Sequence, residues 1–286
     1  MEQLLIADSG STKTEWAVVG AKGSCHTVRT SGLNPYYQTD DEMQHILDTE
    51  LLPALEDEKR PAQVHFYGAG CTPAKADGMA QVLCRVLHLG ADAVHVDSDM
   101  LGAARALCGH DEGIACILGT GSNSCQYDGL RIVANVSPLG FILGDEGSGA
   151  VLGRRLVADV LKGQLPEGLC RRFLERFALT PAEVVERVYR RPLPNRFLAS
   201  LSPFLAENIG EPCLRALVVE SFCDFLRRNV AHYDCRRLPA HFTGSVAYHY
   251  RDLLAEAAER TGMRLGTVTQ SPLRGLVAYH TDKPRN

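Results

Sequence analysis

The sequence predicts an α/β protein of two domains, of which the second is enriched in helices. Strand and helix patterns alternate in the first half, a new strand with a glycine turn begins after Gly113, and the chain becomes mainly helical beyond Gly147. A chain of 286 residues is long enough for two domains that each bury a core. Its 45% hydrophobic and 22% charged residues are typical of a folded globular protein.

The first domain is predicted to open with two short strands joined by a polar turn over residues 8–14. Helical spacing of apolar residues then predicts two helices, the second of which lies between strands. Because strands that alternate with helices form parallel pairs, part of this sheet is predicted to be parallel. The predicted strands are Leu4–Ala7, Trp16–Val19, Cys25–Val28, Val64–Tyr67 and Ala93–Val96, and the predicted helices cover residues 41–55 and 74–88.

The pattern then restarts, which places the predicted domain boundary between Gly109 and Gly113. Ile6–Ser11 can be aligned with Ile117–Ser122 so that glycine, serine and a small hydroxyl residue coincide, which suggests two related halves. The elements predicted after the restart are a strand at Ile114–Leu118, a turn at Gly119–Ser124, a hairpin at Asp128–Gly129, a core helix from Leu214 to Val230, a strand at Pro239–Thr243, a turn at Gly244–Ser245 and a helix at Val246–Arg260.

Charge and composition exclude several classes of function. Thirty basic and 34 acidic side chains give a net charge of −4 without a basic block, so no nucleic-acid partner is expected. The first residues lack the features of a secretory signal, and no apolar run approaches the roughly 18 to 20 residues of a membrane span, so we expect a cytoplasmic protein. The ten cysteines stand singly, which argues against a zinc ribbon or redox dithiol and predicts that most are reduced and buried.

Glycine turns after strands are candidate phosphate sites, because a residue without Cβ lets backbone N–H groups approach phosphate oxygens. Such turns occur around Gly10, Gly121 and Gly244. Taken singly, each is also readable as an ordinary connection between strands or between strand and helix. The chain has neither the Walker pattern nor the dinucleotide fingerprint, so no standard single-loop nucleotide site is predicted.

Three carboxylates are candidates for chemistry, each with a structural alternative. Asp8 ends the first strand and could hold Mg²⁺ through water, or could be an Asx-turn residue. Asp99 follows a parallel strand and begins a helix, where ligand crevices form, and Asp97, Ser98 or Asp99 could instead be the N-cap of that helix. Asp145 lies in a glycine-flanked loop and could accept hydrogen bonds from sugar hydroxyls or complement a helix dipole. Asn34 by itself indicates a turn, and no histidine pair has metal-ligand spacing.

Six segments, spread over nearly the whole chain, carry a family resemblance. They are Leu5–Thr14, Ser31–Pro35, Val96–Ala103, Leu118–Ser124, Gly140–Ser148 and Phe242–Ala247. In this order they resemble the motifs of the N-acetylglucosamine kinase group within the BadF/BadG/BcrA/BcrD type of ATPases, which are relatives of hexokinase, actin and the Hsp70 chaperones. The first and fourth segments are similar to the two phosphate loops of that family.

The resemblance implies two ribonuclease H-like (actin-like ATPase) domains with a central cleft that holds ATP, Mg²⁺ and a sugar. The expected domains are residues 1–112, onto which 272–286 cross back, and residues 113–271, which carry a helical insertion. The implied reaction is phosphorylation of an amino sugar, with N-acetylglucosamine 6-phosphate as the expected product. A homodimer is compatible with the resemblance.

The resemblance also assigns roles to individual residues. Asp99 matches the catalytic carboxylate and contacts the substrate. Nucleotide-binding roles fall on Gly10, Ser11, Thr12, Lys13, Thr120, Gly121, Gly244 and Ser245, and further sugar-binding roles on Asn34, Asn123, Leu139, Gly140 and Asp145. Leu139 stands where the family often has tryptophan, so the sugar and its acyl group remain open. Ser9 and Ser11 stand where many relatives have glycine, a small change that leaves Gly10.

Two other functions are compatible with this type of fold. One is an activator ATPase that drives electron transfer through a shared iron–sulfur cluster, although the cysteine spacing gives no sign of a cluster. The other is a non-catalytic sugar sensor or scaffold, which the retention of Asp8 and Asp99 disfavours. Among kinase substrates, glucosamine, N-acetylmannosamine and an anhydro-muramic sugar remain alternatives, because one pocket contact changes discrimination by only about 1 to 3 kcal/mol.

Overall fold

The computed structural model describes residues 3–20, 24–55 and 61–282, and its chain divides into two compact units. Unit 1 comprises Met1–Asp111, Gly129–Arg131 and Pro272–Asn286, and unit 2 comprises Glu112–Asp128 and Ile132–Ser271. Within the described ranges, no helix is long and apolar enough to cross a membrane.

Unit 1 is built on a five-stranded sheet, sheet A. Its strands are β1 (Leu4–Ser9), β2 (Lys13–Val19), β3 (Cys25–Ser31), β4 (Gln63–Gly68) and β5 (Val94–Ser98). Their order is β3-β2-β1-β4-β5, with β1, β4 and β5 parallel and β2 and β3 antiparallel. The carboxyl ends of the three parallel strands therefore lie along one edge of the sheet.

Helices lie on both faces of sheet A. They are α1 (Asp40–Ile46), a π-helical turn (Leu47–Leu51), α2 (Leu52–Ala54) and α3 (Pro73–Leu87), followed by a 3₁₀ turn (Ala91–Ala93) and α4 (Asp99–Cys108). Thr39 and Glu42 form a capping box at the start of α1. The core between sheet A and the helices α1 and α3 contains Trp16 and Phe66. The Trp16 Nε1 donates to Thr30 Oγ1 at 3.0 Å, so the one polar group of this side chain is satisfied.

Unit 2 repeats this sheet arrangement in sheet B. Its strands are β6 (Glu112–Leu118), β7 (Ser122–Asp128), β8 (Ile132–Ala134), β9 (Ala240–Thr243) and β10 (Leu265–Thr269). Their order is β10-β9-β6-β7-β8, with β6, β9 and β10 parallel and β7 and β8 antiparallel. In both sheets the first strand thus lies between an antiparallel meander and two parallel strands, as expected of two related halves.

Most of the remaining residues of unit 2 are helical. The helices are α5 (Gly140–Leu143), α6 (Gly149–Leu161), α7 (Glu167–Phe177), α8 (Pro181–Tyr189), α9 (Pro194–Leu201), α10 (Pro203–Glu207), α11 (Pro212–Arg228), α12 (Ser245–His249) and α13 (Arg251–Thr261), with a 3₁₀ turn at Val230–His232. The predicted apolar stripe of α11 is confirmed: Phe222 and Phe225 are buried in the core of the unit, whereas Arg227 and Arg228 are exposed.

The last helix, α14 (Leu273–Thr281), packs on the second face of sheet A beside α4. Leu276 is buried there against Ile6 and Tyr67. The two helices approach closely, because a Cβ at Gly275 would lie 2.2 Å from the Ala106 carbonyl oxygen.

Several predicted boundaries are wrong. β1 and β2 extend into the predicted turn over residues 8–14, which leaves Asp8 in a strand, and Ser122–Ser124 belong to β7 and not to a turn. The predicted helix at Val246–Arg260 is broken at Tyr250, where ψ is 24°. The sequence also missed β10. Only four of the ten cysteines are buried, five are half-buried and Cys25 is exposed, so the prediction that most are buried is wrong.

Candidate functional site

Asp8 and Asp99 lie at the carboxyl edge of sheet A. Asp8 is the penultimate residue of β1, and Asp99 follows the end of β5, with β4 between the two strands. Burial, followed by repulsion from Asp99 and Glu15, raises the pKa of Asp8 to about 7, against a weaker opposing effect of Lys13. The two carboxylates therefore interact electrostatically, as expected for side chains at the carboxyl ends of parallel strands along one edge of a sheet.

Asp99 is the first residue of α4, because Ser98 caps this helix by accepting a hydrogen bond from the Leu101 N–H at 3.2 Å. Of the three residues named as possible caps, Asp97, Ser98 and Asp99, it is Ser98 that caps the helix. Its Oδ1 accepts from the Met100 N–H at 2.9 Å. Burial raises the pKa of Asp99, and this backbone hydrogen bond opposes the rise. The result is a half-buried carboxylate that accepts a proton more readily than an ordinary aspartate.

The first glycine turn is short and is tied to Asn34. The Gly10 N–H donates to the Lys13 carbonyl at 3.0 Å, which closes the turn. Asn34 is 4% exposed, and its Nδ2 donates to Ser11 Oγ at 2.7 Å. A Cβ at Gly70, which follows β4, would lie 2.1 Å from Asn34 Oδ1. Asn34 thus lies at the same edge as Asp8, where it supports the turn as well as being a candidate sugar ligand.

The positive charge nearest to this turn is Lys13. Its Nζ lies 3.0 Å from Glu15 Oε1, and Glu15 also pairs with Arg29 at 3.0 Å. The Lys13 side chain is 61% exposed, so this surface pair is weak enough for an incoming anion to compete for the ammonium group. The exposed Thr12, whose N–H donates no hydrogen bond within the described chain, offers a further donor at the turn.

The second glycine turn, between β6 and β7, is anchored to the start of α6. The Gly149 and Ala150 N–H groups donate to the carbonyls of Gly119 and Thr120 at 2.8 and 3.1 Å. In the described part of the chain, the N–H groups of Thr120 and Gly121 donate no hydrogen bond. The carbonyls therefore point into the fold, and the donors remain available to an anion.

The third glycine turn lies against the second. Gly244 has φ of 115°, and a Cβ there would lie 2.3 Å from the Leu118 carbonyl oxygen, so only glycine fits. Its N–H donates to the Thr269 carbonyl at 3.1 Å. Because β6, β9 and β10 are parallel, Thr120 of the second turn and the exposed Ser245 of the third lie at one edge of sheet B.

The candidate sugar residues of unit 2 adjoin the second turn. Asp145 Oδ1 accepts from the Ser122 N–H at 3.3 Å, and a Cβ at Gly121 would lie 3.2 Å from Asp145 Oδ2. Burial raises the pKa of Asp145 to about 6, the Ser122 hydrogen bond lowers it, and Glu146 adds to the rise. Asn123, in β7, is half-buried.

The loop before Asp145 is closed by its own backbone. The Asp145 N–H donates to the Pro138 carbonyl at 2.9 Å, and Leu139 and Asp145 both adopt the left-handed conformation, with φ of 60° and 51°. Leu139 is 61% exposed, and Gly140 follows it with φ of 73°. This strained loop holds Asp145 against the second turn and leaves the Leu139 side chain uncovered.

Each unit thus gathers its own candidates. Unit 1 brings together Asp8, Asp99, Asn34 and the first turn, and unit 2 brings together the second and third turns, Asn123, Asp145 and the Leu139–Gly140 loop. The sequence motifs missed Asn135, which contacts Asn123 and lies outside all six segments. No group of three or more His, Cys, Asp or Glu side chains in the described ranges could hold a metal ion.

Comparison with solved structures identifies the family. The chain is 54% identical to the putative N-acetylglucosamine kinase of Porphyromonas gingivalis, with a TM-score of 0.93 over 97% of this chain and 98% of the other. The chain belongs to this family of sugar kinases. No protein-family model and no curated protein matches it.

Two more distant kinases share the fold. The putative N-acetylglucosamine kinase of Chromobacterium violaceum is 19% identical, with a TM-score of 0.76 over 98% of this chain and 99% of the other. A ROK family glucokinase of Streptomyces griseus, solved with glucose and AMPPNP, is 16% identical, with a TM-score of 0.59 over 97% of each chain. The prediction of an α/β, actin-like sugar-kinase fold with a helix-rich second half is therefore confirmed.

Proposed function

We propose that this sugar kinase transfers the γ-phosphoryl group of ATP to a hydroxyl of an amino sugar in the cytoplasm, with N-acetylglucosamine as substrate and its 6-phosphate as product. The observation that carries the proposal is the 54% identity, over almost the full length, to the Porphyromonas gingivalis protein named a putative N-acetylglucosamine kinase. We also assign the chain to the BadF/BadG/BcrA/BcrD type of ATPases, because its six motifs follow the order of that family.

In this proposal Asp99 is the general base. Its pKa is raised by burial, and a base with a pKa closer to the working pH accepts a proton from a hydroxyl more effectively. The attacking sugar hydroxyl would transfer its proton to this carboxylate as the phosphoryl group arrives. Because phosphoryl transfer passes through a loose transition state, the positioning of the hydroxyl by Asp99 contributes alongside proton transfer.

The glycine turns supply donors for the phosphates. Gly10, Ser11, Thr12 and Lys13 would serve from unit 1, and Thr120 and Gly121 from unit 2. The N–H groups of Thr120 and Gly121 are free for this purpose, and Lys13 adds a positive charge. Gly244 and Ser245 would contact the adenosine. The close packing of Gly244 on Leu118 fixes these two turns together.

Asp8 is suited to bind Mg²⁺. Its half-buried carboxylate has a pKa raised to about 7 by burial and by the neighbouring carboxylates, and a divalent cation would relieve that repulsion. Mg²⁺ keeps several waters and binds through few protein carboxylates, so a single aspartate is sufficient. When bound, the ion supplies charge neutralisation for the phosphates.

Asn34, Asn123 and Asp145 would hold the sugar by hydrogen bonds to its oxygens. Asp145, with a pKa raised to about 6, is still mainly ionised at neutral pH and accepts hydrogen bonds from hydroxyl groups. Leu139 and Gly140 belong to the loop beside it, and the exposed leucine side chain offers an apolar contact where relatives often carry tryptophan.

The test is a sugar-dependence assay. Purified protein with Mg²⁺ and ATP is given N-acetylglucosamine, N-acetylmannosamine, glucosamine or glucose, and ADP release is measured together with the mass of the sugar product. We expect turnover only with sugar and fastest with N-acetylglucosamine. Asp99→Asn should lower kcat by about 10²- to 10⁴-fold, the range for loss of a general base.

The matched control is Asp92→Asn, which alters an exposed aspartate in the turn before β5 and should keep wild-type turnover. Equal ATP hydrolysis with and without sugar would contradict the kinase proposal and favour an activator ATPase, for which bound iron is the second measurement. Sugar binding without any ADP release would favour a sensor.

A further inference from the structure

The amide of Asn123 has a fixed orientation. Its Oδ1 accepts from the backbone N–H of Ser124 at 2.9 Å, and it also accepts from Asn135 Nδ2 at 2.9 Å. A backbone N–H can only donate, so the atom that faces it must be the oxygen. The Asn123 oxygen is thus directed into the protein by two donors.

Asn135 lies immediately after β8, and its own amide is fixed in turn. Its Nδ2 donates to the Ser124 carbonyl at 2.6 Å as well as to Asn123 Oδ1. A carbonyl can only accept, so this atom must be the nitrogen. Each amide is thus anchored to a main-chain group of Ser124. If the Asn123 amide were rotated by half a turn, its NH₂ group would face two donors, and if the Asn135 amide were rotated, its oxygen would face two acceptors.

We propose that Asn135 is a positioning residue that holds the Asn123 side chain with its NH₂ group toward the sugar. In the described ranges, no group accepts a hydrogen bond from Asn123 Nδ2, and the residue is only half-buried. Asn123 therefore offers a hydrogen-bond donor to the sugar, which binds an acceptor oxygen and disfavours a sugar group that donates at this position. The inference rests on the proposed function, in which Asn123 binds the sugar.

The donor character of Asn123 Nδ2 restricts the sugar groups that it can bind. An amide NH₂ donates to the carbonyl oxygen of an acyl group or to a lone pair of a sugar hydroxyl, and both are acceptor oxygens. The fixed orientation excludes a role in which Asn123 accepts from a hydroxyl, because both donors on its oxygen come from the protein. That part of sugar recognition falls instead to carboxylates such as Asp145.

Tyr233 also attaches the chain after β8 to β7, so substitution of Asn135 can be tested without loss of the fold. The Tyr233 hydroxyl donates to the Ser124 carbonyl at 2.9 Å and accepts from the Val136 N–H at 2.9 Å. The chain after β8 therefore stays attached to β7 when the Asn135 amide is removed. Asn135 is itself exposed, so its substitution leaves no cavity in the core.

The experiment is a double-mutant cycle on the active enzyme. KM for each sugar and for ATP is measured for the wild type, Asn123→Ala, Asn135→Ala and the double variant. We expect Asn135→Ala to raise the sugar KM roughly three- to tenfold, the range of one neutral hydrogen bond, without changing the ATP KM. In the Asn123→Ala background, Asn135→Ala should have no further effect on the sugar KM.

Asn135→Asp provides a second measurement. A carboxylate there cannot donate to Asn123 Oδ1 and repels both that oxygen and the Ser124 carbonyl, so the Asn123 amide is expected to lose its fixed orientation. The sugar KM should then rise more than in Asn135→Ala, by at least about tenfold, because repulsion replaces a lost bond. The control Asn208→Ala removes a hydrogen bond to the Phe204 carbonyl elsewhere in unit 2 and should leave both KM values unchanged.

A comparison of sugars with and without an acyl group shows whether the acceptor oxygen belongs to the acyl group or to a hydroxyl. A loss confined to N-acetylglucosamine supports an acyl carbonyl, and an equal loss with glucosamine and glucose supports a hydroxyl. The inference is wrong if Asn123→Ala raises the sugar KM but neither Asn135 variant does, or if the Asn135 effects persist without Asn123. A wild type that phosphorylates no sugar would overturn the proposed function, and this inference with it.

Discussion

At the scale of single residues, two carboxylates lie at the edge of sheet A and repel each other. Asp8 lies in β1 and Asp99 begins the helix that follows β5, and the charge of Asp99 contributes to the raised pKa of Asp8. Glu15, opposite Asp8 in the β1–β2 pair, adds repulsion but is itself neutralised by Lys13 and Arg29. This arrangement stores unfavourable charge where a cation or a proton can relieve it.

We expect Asp99→Asn to lower the pKa of Asp8 from about 7, because one repulsive charge is removed while burial remains. The shift is measured by NMR titration of the ¹³C carboxyl resonances without Mg²⁺. The pKa should stay above its ordinary value of 3.8, since burial is the largest cause of the rise. An unchanged Asp8 titration would mean that the two side chains do not interact.

At the scale of elements, imidazole rings join α14 to sheet A. His280 stacks on His65 with ring centroids 3.8 Å apart, and His65 stacks on His95 at 4.8 Å. The Tyr67 hydroxyl lies 2.8 Å from Arg105 Nη1, which can only donate to it. The proton of the hydroxyl is therefore available for His280 Nε2, which also lies at 2.8 Å. His280 is therefore neutral in the fold and accepts this hydrogen bond.

This stack is predicted to contribute less to the stability of the fold as the pH falls. Burial, with repulsion from neighbouring imidazoles and Arg105, lowers the pKa of His65 to about 3 and that of His280 to about 4. Below about pH 6.5 each of these two histidines binds a proton in the unfolded chain but not in the folded chain, so their contribution to stability falls as the pH falls. The raised pKa values of Asp8 and Asp145 act in the opposite direction. At pH 5 we expect a loss of about 1 to 2 kcal/mol for each histidine.

The measurement is urea unfolding between pH 7 and pH 5. Relative to the wild type, His280→Gln should lose about 1 to 2 kcal/mol less stability between pH 7 and pH 5, because one lowered pKa is removed. His45→Gln, on the exposed side of α1, serves as the control and should follow the wild type. A variant of His280 with the full wild-type slope would contradict the assignment.

At the scale of the whole molecule, the two units have separate cores, and unit 1 is assembled from segments that are far apart in sequence. Unit 2 is built from residues 112–271 apart from the hairpin tip at Gly129–Arg131, whereas unit 1 needs the returning helix α14. That helix covers Ile6 and Tyr67 on sheet A and adds Leu273 and Leu276 to their cluster. The end of the chain is therefore part of the core of unit 1.

A chain that ends at Ser271 should lose stability in unit 1 alone. Each buried leucine contributes about 1.5 to 3 kcal/mol, so the loss of Leu273 and Leu276 removes at least about 3 kcal/mol. Hydrogen exchange is the measurement: amides of β1 and β4 should exchange faster, while those of β6 and β9 in unit 2 keep their protection. Equal loss of protection in both sheets would contradict separate cores.

Local signals account for what the sequence predicted correctly. Apolar runs that end in glycine turns identified the first strands of both sheets, and the apolar stripe identified α11, because strand and helix periodicities need only neighbouring residues. β10 escaped because Leu265–Thr269 is short and contains Gly266, where a Cβ would lie 2.6 Å from His241 Nδ1. The break at Tyr250 escaped too, since the contact between its hydroxyl and the Ser202 carbonyl is not encoded locally.

The sequence by itself determined the two strand-and-turn units, the helix-rich second half and the order of motifs that indicates a sugar kinase. The tertiary structure alone decided which side chains meet. Asn135 faces Asn123 because β8 folds back on β7, and His280 reaches His65 because α14 returns to sheet A. Residues that are distant in sequence leave no periodic pattern when they touch, so their pairing is fixed only by strand register and by the packing of the core.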